Sequence, residues 1–385
     1  MTGSAPLKGL KVVELARILA GPWVGQTLAD LGAEVIKVEA PEGDDTRRWG
    51  PPFMQREVAD AGDGETETVA VYFHAANRGK TSVVCDFKNP EDLDRLKVLI
   101  SEADVLVENF KAGGLKKFGL DYESVAEFNP RLVYASITGF GQDGPRATQP
   151  GYDFLIQGMS GIMDLTGDPD GSPQKIGVAW IDIFTGLYTV IAIQAALAER
   201  ANSGLGQHVD MALFDCGVGV LANQASNYLI GGKVPTRLGN AHPSIVPYEV
   251  FPTADGHLII ACGNDRQFRA LCGVLGLDAL ADDPDYATNA ARVTNRDALR
   301  VLISGVTSTR DKAALIASLE SAAVPGGPIN TVAEALNDPQ AVAREMVIDP
   351  EGISALRSPI RFSRSELALD KAGPRLGDGD WQFKG

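Results

Sequence analysis

One acid stands out along this chain because it interrupts an apolar run. Asp182 lies in Gly177-Val178-Ala179-Trp180-Ile181-Asp182-Ile183-Phe184-Thr185-Gly186, at the head of the largely apolar stretch from Ile176 to Leu197. Two roles fit a carboxylate there. It can be a cap, because acidic side chains accept hydrogen bonds from the free N–H groups of a first helical turn. It can equally be a carboxylate held by those N–H groups and poised as a nucleophile. The apolar stretch approaches the length of a membrane span. Asp182 inside it and Gly186 after it favour a buried core helix instead.

Other segments place polar groups where chemistry is done. Ala16-Arg17-Ile18-Leu19-Ala20-Gly21-Pro22 follows a first strand and has neither GxGxxG nor a Walker pattern, which argues against a dinucleotide cradle. Its place at the carboxyl end of a strand, with a helix N-terminus behind it, still suits a nucleotide phosphate. Val107 to Lys117 (VENFKAGGLKK) ends a strand in Asn109-Phe110 and continues with two glycines and three lysines. Phe110 is suited to stack on an adenine and Lys117 to meet a phosphate; a solvated basic loop anchored by its Phe fits the same residues. In Asp44-Asp45-Thr46-Arg47-Arg48, Arg47 is either a bidentate clamp for a substrate carboxylate or part of a surface turn with local ion pairs. Gly167-Asp168-Pro169-Asp170-Gly171 lacks the remaining ligands of a calcium loop and reads as a turn. The four histidines, His74, His208, His242 and His257, are scattered, so no metal site is expected.

The elements that carry these residues alternate. Strands are expected at Lys11 to Leu15, Ala33 to Val38, Lys80 to Asp86, Ala103 to Glu108 and Leu132 to Ile137. Helices are expected from Trp23 to Leu31, from Pro90 behind an Asn89 cap, and from Tyr122 to Phe128, with Gly21-Pro22 marking a loop. Apolar strands separated by helices imply a doubly wound, Rossmann-like α/β sheet. After residue 200 the pattern changes. A strand at Gln207 to Ala212 and a helical stretch at Phe214 to Leu229 lead to a glycine- and proline-marked linker. Two strands, Pro247 to Pro252 and His257 to Cys262, are then followed by helices after Asn264, from Asp297 and from Asp311, and by a hinge-like break at Val324 to Pro328. The expected domains are a large α/β domain over 1–205, a linker over 206–234, a small α+β domain over 235–330, and a return to the large domain over 331–385.

Composition bounds the function. The 385 residues carry a net charge of −15, which argues against a general nucleic-acid binder. With 44% hydrophobic and 22% charged residues the chain is of ordinary globular type, and its length favours two domains. The cysteines, Cys85, Cys216, Cys262 and Cys272, form no CxxC pair and sit in apolar settings, as in a reducing cytoplasm. The N-terminal residues show no signal-peptide pattern, and no membrane association is expected.

Taken in order, the segments LKGLKVVELARILAGP, LGAEVIKVEAP, DDTRRWGPPF, NRGKTSVVCDF, DVLVENFKAGGLKKFGL, YASITGFGQDGP, GYDFLIQGMSG, GVAWIDIFTGLYTVIAIQAAL and GLGQHVDMALFD resemble the class III CoA-transferase family, which includes the α-methylacyl-CoA racemases. The likeness runs from residue 7 to about 215 and continues less tightly to the end. Ser226 to Ile230, Gly239 to Tyr248 and Gly263 to Phe268 are most similar to the succinyl-CoA:dicarboxylate transferases acting on glutarate and hydroxymethylglutarate.

The resemblance implies several expectations. Asp182 occupies the place of the family's nucleophile. Arg17, Leu19, Ala20, Asn109, Phe110 and Lys117 occupy its CoA-contacting segments. Tyr152, in Gly151-Tyr152-Asp153, stands where the racemase branch has a His, which favours transfer over racemisation. The run of glycines that marks a formate-specific branch is missing from Asn240 to Tyr248, which counts against a formyl acceptor. Arg47 and His242 are the expected readers of an acceptor's distal carboxylate. The expected partners are acyl-CoA and carboxylic acid substrates, with no permanently bound cofactor, and the family fold implies an interlocked homodimer. An isomerase of 2-methylacyl-CoA and a non-catalytic CoA-binding protein are the competing readings.

Overall fold

The computed structural model describes residues 3–57 and 66–384. The chain forms two compact units. One comprises Met1–Ile162, Lys175–Ala225 and Pro339–Gly385; the other comprises Met163–Gln174 and Ser226–Asp338.

In the larger unit the alternating apolar segments form β1 (Lys11–Glu14), β2 (Glu34–Glu39), a hairpin of β3 (Phe53–Glu57) and β4 (Thr66–Ala70), then β5 (Thr81–Val84), β6 (Val105–Glu108), β7 (Val133–Thr138) and β8 (His208–Ala212). Six of them make one sheet in the order β5-β2-β1-β6-β7-β8, and every neighbouring pair is parallel. Parallel strands are covered on both faces, which is why β6 is buried at all four positions. Val12, Val35, Val105, Val107 and Ala135 point to one face, where they meet the helices Ala20–Asp30 and Trp180–Ser203. Val13, Ile36, Val83, Leu106 and Tyr134 point to the other, where they meet the helices Pro90–Ser101 and Tyr122–Phe128.

The strand order reverses between β1 and β6. The chain winds outward from β1 through β2 to β5, then returns and winds the other way through β6, β7 and β8. Open α/β sheets bind ligands at the carboxyl ends of the two strands that flank such a reversal. The two loops there are the ones that carry Arg17 and Asn109.

The smaller unit holds β9 (Tyr248–Thr253), β10 (Gly256–Ala261) and β11 (Gly326–Pro328) in an antiparallel sheet of order β11-β10-β9. Phe251, Leu258 and Ile260 pack there with Phe268 and Leu271 of the helix Asp265–Leu275, Leu299 and Ile303 of Arg296–Thr307, and Leu315 and Leu319 of Lys312–Ser321. The unit is α+β.

Four local expectations change. Gly21-Pro22 opens the first helix rather than marking a loop, since a proline in a first turn lacks only an N–H that has no intrahelical partner. The stretch from Phe214 to Leu229 is broken into Leu213–Gly219 and Ala222–Leu229, with Ala222 at φ 46°. Residues 208–212 are the sixth strand of the large sheet rather than linker. Gly326–Pro328 pairs with β10 instead of forming a hinge.

Candidate active site

The two loops at the strand reversal are tied together through one side chain. Asn109 Oδ1 accepts from Arg17 N at 3.0 Å, and Asn109 Nδ2 donates to Arg17 O at 2.7 Å. The next residue, Ile18, sits at φ 75°, a conformation that a β-branched side chain rarely adopts. Asp44 holds it there, accepting from Ile18 N at 3.2 Å.

Beneath this loop lies a buried ionic network. Lys37 Nζ reaches Glu14 Oε1 and Asp44 Oδ2, each at 3.0 Å, and donates to Ala16 O at 2.8 Å. Lys80 Nζ lies 2.8 Å from Glu14 Oε2 and donates to Pro22 O at 2.9 Å. Ala16 and Pro22 bracket the loop, so the lysines pin both ends. Burial opposes the Lys37 ammonium, but the charges of Glu14, Asp44 and Glu39 outweigh it and hold its pKa above the ordinary value. Lys80 shares Glu14 and feels Lys37 as a like charge; burial brings it down to about 8.

Asp182 lies in the first turn of the helix Trp180–Ser203. That helix is not capped by its own flanking residue. Its cap comes from Asp153, whose Oδ1 accepts from Ile181 N at 2.8 Å and from Asp182 N at 3.3 Å. Asp153 is fixed in turn by the fully buried Gln157, whose Nε2 donates to Asp153 Oδ2 at 2.7 Å while its Oε1 accepts from Ile176 N at 2.9 Å. Two glycines deliver Asp153. A Cβ on Gly139, just past β7, would lie 2.7 Å from the Cα of Gly151, so the backbones approach as only glycines permit. Burial, with the Asp153 charge second, pushes the Asp182 carboxyl up to about 7. Asp182 and Asp153 also raise the phenol pKa of Tyr72, behind its partial burial.

A cavity of about 400 Å³ collects these parts, with Arg17, Ile18, Leu19, Ala20, Asn109, Phe110, Lys111, Tyr152 and Asp182 among its walls. The helix Ala20–Asp30 starts at this cavity with no side-chain cap. A second cavity of about 420 Å³ shares Arg17 and Phe110 and extends to Phe87, Lys88 and Phe118. The rings of Phe87 and Phe110 stack with centroids 5.9 Å apart. The arrangement offers a poised carboxylate at one end and an aromatic, lysine-flanked recess at the other.

Comparison with known proteins gives this arrangement its context. The chain matches CoA-transferase family III over residues 7–379. The chain belongs to that family. It is 55% identical over 379 residues to a succinate–glutarate CoA-transferase of Agrobacterium fabrum, covering 97% of this chain and 93% of that protein. It is 39% identical over 383 residues to a succinyl-CoA:glutarate CoA-transferase of Homo sapiens, covering 98% and 85%. In fold it is similar to the crystal structure of a CAIB/BAIF family protein from Brucella suis, with TM-score 0.87, 60% identity, and 98% and 97% coverage. The likeness to glutarate transferases read from the motifs agrees with these relatives.

Within this CoA-transferase the structure gathers seven of the expected residues at the first cavity: Arg17, Leu19, Ala20, Asn109, Phe110, Tyr152 and Asp182. The amide of Asn109 is already engaged by the Arg17 peptide, so it shapes the loop. Lys117 is absent from the cavity walls and is exposed, with Nζ over the Phe118 ring at 4.7 Å. Lys111 lines the cavity in its stead.

Arg47 is corrected outright. Its guanidinium is buried, forms paired bonds to Glu39 at 2.8 and 2.7 Å, and lies 3.7 Å from the Phe73 ring centroid. A guanidinium held by its own carboxylate cannot clamp a substrate's. His242 lies in the smaller unit, where its Nδ1 accepts from Ser244 N at 3.1 Å. That bond requires an unprotonated Nδ1, in keeping with burial and Arg296 lowering the ring's pKa.

The head of the long helix also differs from expectation. Trp180 N donates to Val178 O, and the next two N–H groups donate to Asp153. The N–H groups expected to hold the Asp182 carboxylate are therefore occupied, and the uncapped first helix is the open N-terminus at the cavity. Asp153, Gln157 and Lys111 were missed. The acid of Gly151-Tyr152-Asp153 was the available signal for the first of them.

Proposed function

We propose that this chain transfers coenzyme A from succinyl-CoA to a dicarboxylic acid, with Asp182 as covalent nucleophile. The observation that carries the reading is the partly buried Asp182 carboxylate on the wall of a cavity in a chain of this family. The CoA nucleotide lies in the recess bounded by Phe87, Phe110 and Lys88, and the thioester arm runs past Arg17 and Lys111 toward Asp182.

The Asp182 carboxylate attacks the thioester carbonyl, the C–S bond breaks, and CoA leaves as thiolate, giving a mixed anhydride. The thiolate attacks the aspartyl carbonyl and releases the donor acid, leaving an aspartyl-CoA thioester. The acceptor carboxylate attacks that thioester, forming a second anhydride and freeing the thiolate. Attack of the thiolate on the acceptor's carbonyl gives the new acyl-CoA and restores Asp182. No net proton is taken up or released, and the thioester's free energy is retained, so the balanced sequence calls for no ATP. The open N-terminus at Ala20 is the favoured site for oxyanion stabilisation. His242, as a neutral donor, remains our candidate reader of the acceptor's distal carboxylate.

A homodimer in the cytoplasm completes the reading. The helix Trp180–Ser203 is long and apolar enough to cross a membrane. It nevertheless buries Ile181, Val190, Ile193 and Ala196 in the core of the larger unit. Leu187, Tyr188 and Ile191 stay 41%, 45% and 63% exposed on that helix, a face suited to a second copy. The four buried, free thiols suit a reducing compartment.

The test is the intact-protein mass after mixing with succinyl-CoA, with hydroxylamine sensitivity as the check for an acyl or thioester adduct. An adduct in the wild type that is missing in Asp182→Ala is the expected result. Full transfer by Asp182→Ala would refute the reading.

A further inference from the structure

An aspartate in a first helical turn is ordinarily stabilised as an anion. The positive end of the helix dipole and the unpaired N–H groups both favour the charged form. A carboxylate stabilised in that way is a weak nucleophile, and Asp182 is placed to be one. The structure removes both influences. The N–H groups of Ile181 and Asp182 are taken by Asp153, and the Asp153 charge offsets the dipole at the point where Asp182 would feel it.

We propose that Asp153 is a positioning residue for the transfer reaction, holding the head of the nucleophile's helix and keeping Asp182 free of the stabilisation that would blunt it. The proposal rests on Asp182 being the nucleophile. Asp153 is not among the residues that line the cavity, so its action is through Asp182. Its own geometry is fixed by the buried Gln157, which also holds Ile176 in the segment leading into the helix.

Other charged or titratable groups face Asp182 from the surrounding elements. Tyr72 comes from the segment after β4. Arg17, Lys111 and Tyr152 share its cavity. Cys216, on the helix Leu213–Gly219, lies beside Thr185 one turn further along. The first helix meets the long helix at Gly186 through Ala20 and Trp23, which do not titrate in the working range. Asp153 is the acid among these groups, and Asp182 is its nearest titratable neighbour along the helix it caps.

Two substitutions separate its actions. Asp153→Asn keeps an oxygen for the Ile181 and Asp182 N–H groups and removes the charge, together with the acceptor for Gln157 Nε2. Asp153→Ala removes both. The measurement is the rate of adduct formation from succinyl-CoA as a function of pH. Attack requires the Asp182 anion, so the rate rises with pH through its pKa. In Asp153→Asn this acid limb should move down by about one pH unit, as expected for loss of a neighbouring like charge. In Asp153→Ala the rate at the plateau should fall by about a hundredfold, as expected when a reacting group is misplaced.

A limb that stays at the wild-type pH in Asp153→Asn, or a wild-type rate in Asp153→Ala, overturns the proposal. If Asp153→Asn does not fold, Gln157→Leu serves. It leaves the charge but releases Asp153 Oδ2, so the rate should fall with the limb unmoved, and an unchanged rate overturns the positioning role. Asp182→Ala, assayed alongside, tests the nucleophile by itself. Transfer surviving in that variant defeats the functional reading. An inactive Asp182→Ala beside an unmoved limb in Asp153→Asn defeats only the role given to Asp153.

Discussion

Asp153 Oδ1 accepts from the backbone N–H of Asp182 at 3.3 Å, so two acids 29 residues apart share one helix end. This arrangement strains the fold as pH rises. The Asp182 carboxyl is shifted from 3.8 to about 7, by burial first and by Asp153 second. Between those values the folded chain holds a proton that the unfolded chain has released, so stability falls across that window as pH increases. Asp182→Asn removes the penalty. Its melting temperature should exceed the wild type's at pH 8, and the difference should vanish below about pH 4, near the unfolded-state value. The gain has a ceiling of about 4 kcal/mol at 1.36 kcal/mol per unit, reduced by the partial exposure of the group. Thermal melts at the two pH values check it.

Arg47 predicts the opposite pattern. Its guanidinium is 7% exposed and bonds Glu39 twice, while Ser82 Oγ donates to Glu39 Oε1 at 2.6 Å. Arg47→Ala strands a buried carboxylate and uncovers Phe73. Removing one partner of a buried pair costs about 3–5 kcal/mol. A clear drop in melting temperature is expected, with the ratio of rates for glutarate and a monocarboxylic acceptor unchanged. A selective loss of the dicarboxylate would restore Arg47 as an acceptor-binding residue.

The two lysines of the glycine loop should differ. Lys111 lines the cavity beside Phe110, whereas Lys117 is exposed with its ammonium over Phe118. Lys111→Ala should raise KM for succinyl-CoA by about tenfold, about 1.4 kcal/mol of binding, and should lower its salt dependence. Lys117→Ala should change KM less than twofold. Steady-state kinetics at two ionic strengths decides, and the reverse ranking would return phosphate contact to Lys117.

Much of this site was legible in the sequence, and the unread part has common causes. The sheet followed from apolar runs separated by helical spacing, and Asp182 stood out because an acid in an apolar run demands a reason. Asn109 and Phe110 were legible as the end of a strand in a parallel sheet. Arg47 was misread because its partner, Glu39, lies at the end of a different element, and burial of a pair is set by tertiary packing. Asp153 was passed over for the same reason. Its hydrogen bonds are made to a helix that begins 27 residues later, beyond any local capping pattern. The strand Gly326–Pro328 was hidden by residues that ordinarily break strands; at the edge of a short sheet they are tolerated.

The route by which Asp153 reaches the helix gives the most demanding test. β7 ends at Thr138, and the chain leaves it through Gly139, makes a loop, and returns past Gly151 into Tyr152 and Asp153. A Cβ on Gly139 would stand 2.7 Å from both Cα and N of Gly151, where real Cβ atoms essentially never sit. Gly139→Ala must push the returning strand of the loop away, and Asp153 is two residues beyond the contact. The sheet itself need not move, since the collision falls outside β7. We therefore expect a modest loss of stability, about 1–3 kcal/mol for an overpacked site, together with at least a tenfold fall in adduct formation. Gly177→Ala is the control. It lies close to Asp182 in sequence, but a Cβ there meets nothing within 4 Å, so rate and melting temperature should both stay near wild type. If Gly139→Ala lost stability without losing rate, the loop would be structural only and the delivery of Asp153 would not depend on it. If both variants lost rate alike, the segment before the helix would be sensitive to any side chain, and the glycine pair would have no special part.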